Sequence, residues 1–151
     1  ASDVYERQDS EGVTSNKLSL VENGKLQNIF LDTYNSNILG VETNGRSGGS
    51  TNLYFENGKN TLKEIIQAQK KALYITDLIG RGSDTITGDY SVGASGILIE
   101  NGELGYAVNE ITIAGNLLDM YKNLDLANDL EFTYATNSPS IIVNQMTIAG
   151  K

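Results

Sequence analysis

Apolar and polar positions alternate in short runs along this chain, and Asn-Gly pairs punctuate them. Residues 18–22 and 25–31 flank Asn23-Gly24, while 96–100 and 103–108 flank Asn101-Gly102. Asn and Gly both tolerate positive φ, which a two-residue type I′ turn requires at its central positions. Both pairs therefore predict β-hairpins. A further pair, Asn57-Gly58, is expected to join a strand over 51–56 to a helix. That helix is predicted over about 60–72, with Asn60 as its cap. Leu62, Ile65, Ile66, Gln69, Ala72 and Leu73 make one stripe, and Lys70 and Lys71 lie in the last turn, where the helix dipole favours cations. A strand over 73–78 should follow.

A second, shorter helix is expected over 116–123, with Leu117, Met120, Tyr121 and Leu124 facing inward. Between the helices, Gly80, Gly82, Gly88, Gly93 and Gly96 interrupt a strand-like stretch, as bulges or close backbone approaches do. Residues 140–149 alternate as one final strand after Pro139, the only proline. The expected fold is α+β and β-rich: mostly antiparallel sheet built from hairpins, with two helices. Residues 1–12 form a polar, acidic lead-in, and 13–151 form a single β-rich domain. Two segments recur. Residues 20–26 resemble 98–104, and Thr112-Ile113-Ala114-Gly115 returns as Thr147-Ile148-Ala149-Gly150. Shared turn chemistry explains this more simply than two duplicated β-units.

With 39% hydrophobic and 20% charged residues, the 151-residue chain can bury a core. Its apolar runs are too short to span a bilayer. A net charge of −8 disfavours contact with nucleic-acid phosphates, since Lys70-Lys71 is the densest basic spot. Histidine and cysteine are both absent, which removes disulfides, thiolates and imidazole ligands and fits a reducing compartment. The remaining carboxylates suit calcium or magnesium, but Asp84 and Asp89 match no EF-hand spacing and read as turn residues. Ser91 and Ser95 lie among glycines without a nucleophile elbow or a histidine base, so tight strand packing is the better account. Glu100 and Glu103 flank a turn and are expected to be solvated. Residues 45–50 have a phosphate-loop flavour but lack the lysine, and read as a flexible loop. No catalytic or metal-binding residue is assigned.

Longer motifs carry a resemblance. Tyr74-Ile75-Thr76-Asp77-Leu78-Ile79-Gly80, followed by Thr87-Gly88-Asp89-Tyr90-Ser91-Val92-Gly93-Ala94-Ser95-Gly96, resembles the C-terminal domain of the TldD/TldE (PmbA) family. Glu110-Ile111-Thr112-Ile113-Ala114-Gly115-Asn116-Leu117 and the closing Met146-Thr147-Ile148-Ala149-Gly150-Lys151 continue it in order. The resemblance implies a longer protein with an α/β N-terminal domain, named as a modulator of DNA gyrase and acting in proteolysis and peptide maturation. It implies a cytoplasmic TldD–TldE pair around a peptide substrate, with zinc supplied by the TldD-type partner. In TldD-type chains a His-Glu-x-x-x-His helix and a cysteine in a glycine-rich segment hold the metal.

This sequence has neither, and its short connection between Phe132 and Ser138 is similar to the TldE/PmbA branch. Zinc is therefore expected on a TldD-like partner, and no cofactor in this chain. The chain could instead self-associate, belong to a peptidase whose ligands lie upstream, or bind gyrase as a protein module. Gly88, Asp89, Tyr90, Ser91, Gly93, Gly96, Gly115 and Asn116 are the candidate residues for contact with partner or peptide.

Overall fold

Turn chemistry and capping set the architecture of this computed structural model, which describes residues 8–150. Contacts divide it into two compact units, one ending at Leu53 and one beginning at Tyr54. Residues 1–7 of the expected lead-in lie outside the described residues.

In the first unit, Asn23 and Gly24 take φ of 50° and 73°, as a type I′ turn demands. The hairpin they close is much shorter than the pattern suggests: β1 (Val21–Glu22) pairs with β2 (Lys25–Leu26), two residues on each side. Beyond it comes a helix absent from the sequence reading, α1 (Thr33–Leu39). Asp32 caps it by accepting the Asn35 N–H at 2.6 Å, and Gly40 ends it with φ of 67°. Only Ser36 of this helix is buried, so no apolar stripe announces it. The 45–50 loop is also not free. Ser47 N–H donates to Asp9, the Ser15 hydroxyl donates to Gly45 O at 2.6 Å, and the Arg46 guanidinium donates to Asn16 O.

The second unit follows β3 (Leu53–Tyr54). α2 (Leu62–Ala68) is capped by Thr61 and not by Asn60, in a capping box with Glu64. It stops four residues before the expected end, because Gln69 turns extended and β4 (Lys71–Ile79) begins at once. Lys70 and Lys71 therefore do not stand on a last helical turn, and Ala72 and Leu73 belong to the strand. β5 (Asp89–Glu100) and β6 (Glu103–Asn116) form the long hairpin predicted at Asn101-Gly102, where φ is 52° and 82°. α3 (Leu117–Lys122) follows, capped by Asn116. Leu117 and Met120 are half-buried, but Tyr121 is 59% exposed and does not face inward as expected.

The remaining strands are β7 (Leu124–Leu126), β8 (Thr136–Asn137), β9 (Ile141–Val143) and β10 (Thr147–Ala149). The expected final strand is thus two, broken where Gln145 takes φ of 63°. β9 pairs with β7, whereas β10 joins an antiparallel sheet ordered β10-β6-β5-β4. The fold is α+β and β-rich, with three helices in place of two. The two Thr-Ile-Ala-Gly segments are direct neighbours in this sheet, Ile148 opposite Ile113. The two similar hairpins share turn geometry but not strand length. The core lies on one sheet face, where Val92, Ala94, Ile111 and Ile113 are buried against Leu73, Ile75, Tyr90, Val108 and Met146.

Candidate functional site

The sheet register brings most of the sequence-predicted residues together. Asp89 pairs with Asn116, Tyr90 with Gly115 and Ser91 with Ala114. A tight turn leads into this corner. The Asp84 carboxylate accepts the N–H groups of Ile86 and Thr87 at 2.8 and 3.1 Å, and Gly88 N–H donates to Asp84 O at 2.9 Å. Gly88 has φ of 80°, and its carbonyl accepts Leu117 N–H at 2.7 Å. Asn116 both caps α3 and donates to Thr87 O at 3.3 Å. Thr87 Oγ1 donates to Asp89 Oδ2 at 3.0 Å. Loop, strand end and helix start are thereby locked to one another.

Gly93 and Gly96 lie farther along β5 and serve packing. A Cβ on Gly93 would meet Ile79 Cβ at 3.3 Å, and one on Gly96 would overlap Tyr74 O. Gly96 also sits at the register shift that matches Glu110, whose φ of 54° bends β6. On the sheet face opposite the core, β10, β6 and the start of β5 carry small side chains, and Ile79 of β4 stands beside Gly93. Thr147, Ala114 and Ser91 share one row, and Ala149, Thr112 and Gly93 the next. Ser91, Thr112, Thr147 and Ala149 are exposed there. That breadth comes from cross-strand register and is invisible in the single segment 88–96.

Electrostatics at the corner are mild. The Ile86 and Thr87 N–H groups hold the Asp84 carboxyl below the ordinary range, and burial pushes the Tyr90 phenol up. Glu100 and Glu103 face each other across the turn, both exposed. Among the described residues no three acidic side chains come together to hold a metal ion, and the sequence has no histidine or cysteine. The described residues offer no donor set that fits zinc. An open cavity of about 620 Å³ between α2 and the β7–β9 pair went unseen in the sequence. Ile65, Leu126 and Ile142 give it apolar walls, and Gln69 and Asn144 polar ones. Its ends join only through tertiary contacts, so no local motif signals it. No helix among the described residues is long and apolar enough to cross a membrane.

A hairpin-built antiparallel sheet with a locked turn at one corner defines the domain. Residues 4–150 match the PmbA/TldA metallopeptidase C-terminal domain, and the chain belongs to that family. It is 42% identical over 144 residues to the metalloprotease PmbA homolog of Haemophilus influenzae, covering 94% of this chain and 32% of that protein. It is 38% identical to metalloprotease PmbA of Escherichia coli O157:H7, covering 95% and 32%. A crystal structure of a candidate modulator of a DNA gyrase from Thermotoga maritima superimposes with a TM-score of 0.88 at 31% identity, covering 95% of this chain and 35% of that one. The chain thus spans about a third of the length of these relatives.

Proposed function

We propose that this chain is the C-terminal domain of a TldE/PmbA-like subunit that holds no zinc and completes a TldD-type zinc metallopeptidase acting on peptides in proteolysis and maturation. One observation carries the reading. At the place where, by the resemblance, a TldD-type chain carries its cysteine-bearing segment, this chain makes a closed turn. Buried Asn137 accepts the N–H groups of Thr133 and Tyr134, both at 2.9 Å, and returns its own amide N–H to Tyr134 O. The bonding of that side chain is spent inside the segment and holds the turn closed.

The role of this domain is then to complete the peptide chamber by contact. Gly88, Asp89 and Asn116 build a corner, and Ser91 with Thr112, Thr147 and Ala149 gives an exposed small-residue face that another backbone can approach closely. Tyr90, Gly93, Gly96 and Gly115 support them by packing. Mixing the full-length protein with a TldD-type subunit tests this. A heteromer with peptidase activity is expected, with zinc on the TldD-type chain. Stoichiometric zinc and peptide hydrolysis by the isolated full-length protein would overturn it.

A further inference from the structure

The Asn-Gly pairs have no part in the proposed peptidase role, yet their chemistry is distinctive. Glycine offers little steric shielding, so its backbone nitrogen can attack the preceding Asn side chain. The N–Cγ bond forms, the bond from Cγ to the side-chain nitrogen breaks and ammonia leaves. Water then opens the succinimide at either carbonyl, giving aspartate or isoaspartate. The nitrogen must reach Cγ, so a clamped side chain or a fixed turn slows the first step.

The chain has four such pairs, including Asn44-Gly45, and the structure treats them differently. Asn44 accepts Leu31 N–H at 3.2 Å and donates to Ile29 O at 2.7 Å. Asn57 accepts Leu130 N–H at 2.9 Å. Both side chains are held. Asn101 stands in a turn that joins strands of 12 and 14 residues, and its N–H donates to Lys70 O at 2.9 Å. Gly102 there lies so close to the Gln67 backbone that a Cβ would meet its carbonyl oxygen at 2.6 Å. Asn23 alone combines an exposed turn, strands of two residues and a Gly24 with nothing within 4 Å of its Cβ position. Opening it breaks the fewest contacts.

We propose that Asn23 is the site of selective spontaneous deamidation, converting the β1–β2 turn to isoaspartate and aspartate. Either product adds a negative charge to a chain already at −8. Isoaspartate also inserts a methylene into the backbone and removes the type I′ turn. Peptide mapping of the full-length protein, aged at mildly alkaline pH, tests it. Asn23 should convert on the order of tenfold faster than Asn101, with Asn44 and Asn57 slower still. In urea the four rates should converge, because the fold sets the order. Asn101 matching or outpacing Asn23 in the native protein would overturn the proposal, and so would an order that persists in urea or an absence of conversion at Asn23. An Asn23→Gln variant should remove the fastest product peptide and leave the other three rates unchanged.

Discussion

Several carboxylates among the described residues bind the protein's own backbone. Asp84 accepts Ile86 and Thr87 N–H, Glu64 accepts Thr61 N–H and hydroxyl, and Asp129 accepts the Ser140 hydroxyl and N–H. Each is held below its usual pKa by those bonds in that order, with desolvation opposing. For Asp9 desolvation pushes upward, and the N–H groups of Ser47, Val13 and Glu11 together outweigh it. Folded values below unfolded ones stabilise the protein above the unfolded pKa of about 4, and that contribution fades as pH falls through the folded values. Urea midpoints should therefore drop as pH falls below about 5, and Asp84→Asn should flatten part of that acid limb. An unchanged limb would contradict it. At Gly96 the constraint is steric. Gly96→Ala places a methyl on Tyr74 O and should cost about 1–3 kcal/mol in chemical denaturation.

Caps and turns decide where the elements stop. Asp32 and Gly40 bracket α1, whose Tyr34, Ile38 and Leu39 stay exposed, so its order depends on its ends more than on a buried stripe. Asp32→Ala should lose about 1 kcal/mol of stability, visible as a lower denaturation midpoint. The same pair was the one legible signal of this helix, since its Asn, Ser and Tyr content has weak helical preference. The long β5–β6 hairpin was readable because turn residues and alternation agreed. The end of α2 was not, because apolar spacing runs on through Ala72 and Leu73 after the backbone has become a strand. Likewise the break between β9 and β10 rests on Gln145 at positive φ, a residue with no preference for it. Residues 88–91 with 115–116 could be named from the sequence. The face that Ser91 shares with Thr112, Thr147 and Ala149 needs the register.

At the scale of the molecule, a surface must meet the proposed partner, and the small-residue face offers a test that spares the fold. Ser91 is exposed there, and its link to Gly82 uses only the backbone N–H, at 2.7 Å. Replacing it with arginine leaves that bond and the buried core face untouched, yet puts a long charged side chain where a flat approach is required. Ser91→Arg in the full-length protein should keep its melting temperature but bind a TldD-type subunit at least about tenfold more weakly, a loss of about 1.4 kcal/mol. Peptidase activity of the mixture should fall with assembly and recover as subunit concentration rises. Glu103→Arg, at the far hairpin tip, should do neither. If Ser91→Arg assembles and cleaves like the parent, this face does not meet the partner, and the 620 Å³ cavity beside α2 becomes the next surface to alter.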